Sequence, residues 1–546
     1  MQFDYAYPGN TTVTSSSDRT QMWFAPDVTR EPTYFVGELG KQVEFREAIS
    51  ALHDVVISDL RYKPKDRTEY MAWIAQQEAV DWQQIATERS DVGARIKTLQ
   101  TELDELRRLS AARMKPFYEA RGRYFNYLYK KDRDTWFVLD PVITVHPDEI
   151  FFECFSQDES SYGRLGASYE VFRDISEFSY GTTNIDYSDV LYNEFQKIRS
   201  YKSTKLEVDP SGFEVKTQDQ ATYKELKIDL PDSWVRGFLQ VSSAMSLPTT
   251  SFDLHPMDIH NLCFVLRRHK ETHGPRGMRY HLTPDEPIEV VFEPWDIEVV
   301  CHRSRYQGAE PTVIRVWGRR RIHILERLIP IAKKFTVHLL GTGLPSFYIA
   351  DLGNMSFTLG LSGWTANDWS KAGNFDLMAP RATVDEFTTQ VVFNALKKKW
   401  AETPDALAER LSLDRSAVLG ALGAYTQAGR AIYDLNKQLY RARELSRDPL
   451  PLEQLRFANP REAQASRFLE ENLVRLTVTD VNQGQQLTLA GTVEDRQKQF
   501  TPNLTLDQDQ RMIQANCTCN WHQQNKLYQG PCEHILALRM AHSRQG

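Results

Sequence analysis

Three of the six cysteines crowd into one stretch, Asn516-Cys517-Thr518-Cys519, followed after twelve residues by Cys532-Glu533-His534. Three thiolates and an imidazole satisfy the tetrahedral preference of Zn²⁺, with Zn–S near ~2.3 Å and Zn–N near ~2.0 Å. In an extended segment, residues two apart share a face, so Cys517 and Cys519 converge on one ion. Gly530-Pro531 breaks the intervening loop, and the run from Ile535 to Met540 reads as a helix. Cys532 and His534 then sit at its start, where the positive end of the dipole favours thiolates. Four protein ligands close the coordination sphere and leave no position for a reacting water. The expectation is one structural zinc held by Cys517, Cys519, Cys532 and His534. A redox pair is the weaker reading, because a one-residue spacing strains a disulfide and Cys-x-x-Cys is absent. His522 and His542 are alternative fourth ligands with less natural spacing, and each is expected at the surface. Cys154, Cys263 and Cys301 stand alone among apolar neighbours and read as small buried hydrophobes.

The Cys-x-Cys pair, the variable loop and the ending Pro531-Cys532-Glu533-His534-Ile535-Leu536-Ala537 resemble the SWIM zinc-finger signature. Short strands at Leu476-Thr477-Val478, Leu487-Thr488-Leu489 and Arg511-Met512-Ile513 lead into the first pair, as in that family. The resemblance covers roughly residues 470–542. It implies a ββα zinc fold used to bind DNA or proteins, with no catalysis by the metal.

Other catalytic constellations are missing from the sequence. There is no Gly-x-x-x-x-Gly-Lys-Ser/Thr phosphate loop, no His-Glu-x-x-His and no Gly-x-Ser-x-Gly. Gly341-Thr342-Gly343 lacks the later glycine of a dinucleotide site and reads as a turn. His255, Asp258 and His260 are close enough in sequence to suggest a metal, but no fourth ligand is apparent. Arg319-Arg320-Arg321 opens an expected helix over 319–334, where cations oppose the dipole. That placement hints at an acidic partner, with a solvated basic cluster as the plainer reading.

The elements that must carry these residues follow from composition and periodicity. With 41% hydrophobic and 25% charged residues, the 546-residue chain can bury ordinary cores over several domains. The formal charge of -7 excludes a surface basic throughout, so any nucleic-acid contact must be local. No apolar run reaches the ~18 residues of a membrane span, and the start shows no secretory signal. A cytoplasmic protein with no membrane contact is expected.

Residues 1–66 form an N-terminal segment, polar from Thr11 to Thr20 and apolar from Ala48 to Leu60. Over 67–125, Ile85, Val92, Ile96, Leu99, Leu103 and Leu106 mark a long helix or helical hairpin. Self-packing and dimerisation are both open to it. The run from Arg121 to Lys131 interleaves aromatics with cations, either as an inward-packed helix end or as a nucleic-acid contact. Residues 126–383 alternate strands and helices as an α+β middle region.

Residues 384–447 resemble a winged helix. One helix spans Phe387 to Trp400, Thr403 caps a second that begins at Pro404, and Asp414 caps a third that Gly429 ends. Strands at 430–433 and 438–441 make the wing around Asn436. Lys and Arg number eleven against nine Asp and Glu over 381–450, and the third helix carries one cation, Arg415. Sequence readers usually place several Arg, Lys, Asn or Gln there, which favours protein docking or a spacer role. A linker at 448–465 contains Asp448-Pro449-Leu450-Pro451, and the zinc-finger domain occupies 466–546.

The sequence therefore describes a multidomain α+β chain: helical N-terminal arm, mixed middle, winged-helix-like domain and C-terminal SWIM finger. The function expected is a non-enzymatic adaptor or regulator that uses the finger to meet a protein partner. The SWIM resemblance suggests an AAA+ ATPase of the MoxR type or a von Willebrand A-like protein for that partner. The alternative is a DNA- or RNA-binding protein, supported by four cations (Arg511, Lys526, Arg539, Arg544) against Glu533 over 511–546.

Overall fold

Strands hold more residues than helices among the described residues of the computed structural model. It describes residues 12–15, 19–24, 34–58, 141–184, 192, 195–201, 203–208, 232–270, 276–363, 368–370, 373–380, 384–445, 459–481 and 486–545. The chain divides into two units, Met1–Ser58 with Leu139–Gly546, and Asp59–Val138. The second unit lies wholly outside the described residues, and with it the helix or hairpin expected at 67–125 and the aromatic and cationic run at 121–131. Residues 34–58, expected within a separate N-terminal segment, belong to the same unit as the middle region.

The first strands are β1 (Thr12–Ser15), β2 (Arg19–Phe24) and β3 (Tyr34–Leu39), followed by helix α1 (Gln42–Val56). Next come β4 (Val142–Val145), β5 (Glu149–Phe155), β6 (Ser161–Ser168), β7 (Phe172–Ser179), β8 (Gly181–Asn184) and β9 (Ser203–Val208). Helix α2 (Asp232–Met245), β10 (Thr250–Leu254) and helix α3 (Pro256–Arg268) lead into β11 (Met278–Leu282), β12 (Pro287–Phe292), β13 (Ile297–Arg305) and β14 (Thr312–Val316). A 3₁₀ helix covers Arg319–Leu328, followed by β15 (Lys334–Leu339), β16 (Ser346–Asp351) and β17 (Met355–Leu361). The helix expected over 319–334 thus stops early, where Pro330 removes a backbone donor.

Three sheets build the body. One has the order β1-β2-β9-β3-β7, with β2 and β9 parallel. The largest is antiparallel in the order β10-β15-β16-β17-β6-β5-β4-β8, and a third runs β13-β12-β11-β14. The eight-stranded sheet is buried on both faces. Alternation sends Phe152, Cys154, Leu165 and Tyr348 into the core shared with α1, and Phe155, Tyr162, Phe347 and Ile349 into the core shared with α2. Strands covered on both sides tend towards continuous apolar runs, as in Ile150-Phe151-Phe152 and Cys154-Phe155 of β5.

The last third opens with three further helices and a small sheet. They are α4 (Glu386–Lys399), β18 (Ala401–Glu402), α5 (Pro404–Leu411), α6 (Arg415–Gln427), β19 (Ala431–Asp434) and β20 (Leu439–Ala442), with sheet order β18-β20-β19. The Asp385 carboxylate accepts from Thr388 N and the Thr403 hydroxyl from Ala406 N, so α4 and α5 start on N-caps. The linker expected through 465 gives way to α7 (Pro460–Glu470), which starts on an Asn459 cap. Then follow β21 (Val474–Val481), β22 (Leu487–Asp495), β23 (Lys498–Phe500), β24 (Asn503–Leu506), β25 (Met512–Asn516), α8 (Asn520–Asn525) and α9 (Glu533–Gln545). The protein is a multidomain α+β structure with several antiparallel sheets.

Candidate metal centre

Each of the four expected ligands is placed by an element boundary. Cys517 directly follows β25, where Asn516 Oδ1 accepts from its backbone N–H at 2.9 Å. Cys519 is the N-cap of α8, its Sγ accepting from His522 N at 3.3 Å. Cys532 immediately precedes α9 and His534 lies in its first turn. One ligand atom from each of the four lies within 4.8 Å of the others, and all four side chains are buried. None of the cysteines is in a disulfide.

The surroundings suit a cation. Neither ring nitrogen of buried His534 makes a well-formed hydrogen bond within the protein. An unpaired buried imidazole is costly unless something uses its lone pair. The ring stacks on Phe468 at 5.6 Å and sits 4.5 Å from Phe500, and its Nε2 is 3.8 Å from Asp495 Oδ2. Hydrogen bonding from Cys517 and Cys532 holds the Cys519 thiol far below its usual range. The Cys532 thiol is pushed far up by its hydrogen bonds to Cys517 and Cys519. Burial would lower the His534 pKa, but the Cys517 and Cys519 sulfurs raise it to about 10. Crowded sulfurs sharing protons in this way are a donor set that one Zn²⁺ would replace the protons in. This buried Cys₃His cluster is consistent with a zinc site holding one metal ion.

One expectation about the histidines needs correction. His522 is buried, not at the surface, because the short helix capped by Cys519 turns its ring inward. Burial lowers its pKa, and it stands outside the converging group. His255, Asp258 and His260 do not converge on a metal position among the described residues. The His255 ring accepts from Met257 N to cap α3, and buried Asp258 accepts from Ser304 Oγ at 2.6 Å.

The loop between the cysteine pairs is docked on the body. Asn374 Nδ2 donates to Gln529 O at 3.3 Å, and Arg461 Nη1 donates to Gln529 O and Pro531 O at 2.9 and 3.2 Å. The Arg461 guanidinium also lies over the Trp521 ring at 3.9 Å. Gly530 has φ +82°, and a Cβ there would fall 2.5 Å from Asn374 O, so both backbone angle and close approach require glycine. On α9, Arg539 donates to the carbonyls of Leu377, Ala379 and Gln510. Cys517, Cys519, Cys532, Ile535 and Leu538 share one core with Phe347, Trp369 and Phe375 of the body.

Several cations between 384 and 445, and Arg164 of β6, are engaged inside the chain. Arg415, on α6, pairs with Asp405 and with Asp509 at 2.7 Å. Fully buried Arg441, on β20, meets Asp434 at 2.8 Å, Asp148 at 2.8 Å and Glu149 at 3.1 Å. Lys437 pairs with Asp148 at 2.9 Å and Glu149 at 3.2 Å, and Arg164 with Glu149 and Asp434. Burial pushes Asp434 up, but the Arg164 and Arg441 charges outweigh it and hold the group at about 2. His146 Nε2 donates to Ala442 O at 2.6 Å; burial first, then the Arg441 charge, lowers its pKa to about 3. Helix α6 packs on α2, and Ser242, Ser243, Leu419, Gly423 and Thr426 line the space between them.

The fold and the cluster thus define a multidomain α+β chain with a Cys₃His centre. No family model matches the chain, and no curated protein matches it. Among solved structures, the crystal structure of Proliferating Cellular Nuclear Antigen from Entamoeba histolytica aligns over 41% of this chain and 89% of that one. Its identity is 9% and its TM-score 0.29, too low to bear on fold or function.

Proposed function

We propose that this chain is a non-enzymatic, zinc-stabilised adaptor whose C-terminal module is a SWIM-type ββα finger built into the body. The cysteine and histidine spacing supports the finger assignment, together with the five strands from β21 to β25 that lead into it and a helix opening at the last two ligands. The order α4-β18-α5-α6-β19-β20, with β20 between β18 and β19, supports a winged-helix-like domain before it. Its partner is a protein, and the SWIM resemblance points to an AAA+ ATPase of the MoxR type or a von Willebrand A-like protein.

The observation that carries this reading over nucleic-acid binding is the placement of Arg415. It is the one cation of the helix that would enter a major groove, and it is clamped between Asp405 and Asp509. The wing cations Lys437 and Arg441 are likewise matched by Asp148, Glu149 and Asp434. Specific DNA proteins reach ~10⁻⁸–10⁻¹¹ M largely by releasing counterions from phosphates, and paired cations release few. Fluorescence anisotropy with random and genomic fragments should find no complex tighter than about micromolar at ~150 mM salt, for duplex or single strand. A submicromolar complex abolished by Arg415→Ala or Cys532→Ser would replace the adaptor with a nucleic-acid-binding protein.

A further inference from the structure

A second group of metal-ligating side chains lies away from the Cys₃His centre, where α3 packs on the 3₁₀ helix Arg319–Leu328. Cys263 projects from α3; His323 and Glu326 come from the 3₁₀ helix. One ligand atom from each lies within 4.8 Å of the other two. The winding explains the convergence. A 3₁₀ helix has ~3 residues per turn, so side chains three apart eclipse, and His323 and Glu326 stand on one face. An α-helix of the kind expected from the sequence would rotate them ~60° apart.

Two chemistries suit a thiol, an imidazole and a carboxylate: a nucleophilic triad, or a metal tripod. The triad needs an accessible thiolate. Cys263 is fully buried, its Sγ donates to Ile322 O at 3.7 Å, and burial followed by the Glu326 charge pushes its thiol well up. No substrate reaches that sulfur. A metal ion needs only one face open, and His323 and Glu326 supply it, with 28% and 27% of their side-chain surfaces exposed. The Glu326 carboxylate accepts from His323 Nδ1 at 3.0 Å and lies 3.3 Å from Arg267 Nε. Arg267 is half exposed and can turn into solvent when a cation takes the carboxylate.

We propose that Cys263, His323 and Glu326 form a second metal site, with three protein ligands and a fourth position open to solvent. The thiolate selects a borderline-soft ion such as Zn²⁺ over Mg²⁺ or Ca²⁺, and three ligands with an open position are a stable zinc arrangement. The ion displaces the Cys263 proton, as metal binding to thiols does generally. The site is independent of the Cys₃His cluster and of the adaptor reading.

The test is zinc uptake by the full-length protein, equilibrated with excess zinc chloride, desalted and assayed by elemental analysis. The wild type should take up about one equivalent beyond its content when purified without added metal. His323→Ala and Glu326→Gln should take up none of this addition, and both positions are exposed enough for the fold to survive. Absence of extra uptake by the wild type, or uptake persisting in either variant, overturns the second site. Neither result alters the Cys₃His assignment, which Cys517→Ser reports separately.

Discussion

His534 is gripped before any metal arrives. Phe468 stacks on one side of its ring, Phe500 approaches from another direction, and the Asp495 carboxylate stands near Nε2. Residues around a metal ligand fix its orientation and commonly change affinity ~10–100-fold when lost. Phe468→Ala should therefore destabilise the protein by about 3–5 kcal/mol and speed zinc release to a chromogenic chelator. His522→Ala should lower the urea midpoint, because the ring is buried, while leaving zinc in place. At this scale the sequence was informative about the ligands, since Cys-x-Cys and Cys-x-His are local patterns. It was silent about Phe468, Asp495 and Phe500, which reach His534 only through strand pairing and the packing of α7 on α9. It also misplaced His522, because a six-residue helix carries too little periodicity to reveal its buried face.

The elements between 384 and 445 were legible because local rules act there: N-caps at Asp385 and Thr403, Pro404 in a first turn, and Gly429 at φ +71° closing α6. The attachment of β19 and β20 to β5 was not legible. Glu149 and Glu153 look like the solvent side of a strand, yet both are buried, satisfied by Arg164 on the neighbouring strand β6 and by Arg441 and Arg443 from a distant segment. Removing one partner of such a network leaves uncompensated charge. Arg441→Met should cost about 3–5 kcal/mol in urea denaturation. Lys437→Met, at a half-exposed position, should cost less than about 1 kcal/mol. The network also sets an acid limit. His146 has a folded pKa of about 3, below its ordinary value near ~6.5, so the unfolded chain binds its proton more tightly. Its contribution is fully present above ~6.5 and is lost as pH falls toward 3. Stability should drop by about 2 kcal/mol between pH 7 and pH 5, and His146→Gln should flatten that slope.

On the scale of the whole molecule, the C-terminal module is tied to the body as well as to itself. Its cysteines share a core with Phe347 and Trp369, its loop lies on Asn374, and Arg539 holds the carbonyls of Leu377 and Ala379. Zinc binding supplies ~10–16 kcal/mol in small finger units, and an ion held by this cluster would transmit part of that free energy to the docked surfaces. Chelation should therefore raise hydrogen–deuterium exchange over 512–545 and also over 373–380. Acceleration confined to 512–545 would mean that the module holds its own shape without supporting the body. Among the described residues no helix is long and apolar enough to cross a membrane.

The most direct test of the account is the zinc content of the protein purified without added metal. The Cys₃His centre predicts about one equivalent per chain, lost in Cys517→Ser and retained in His522→Ala. Less than about half an equivalent in the wild type, or zinc unaffected by Cys517→Ser, would contradict it.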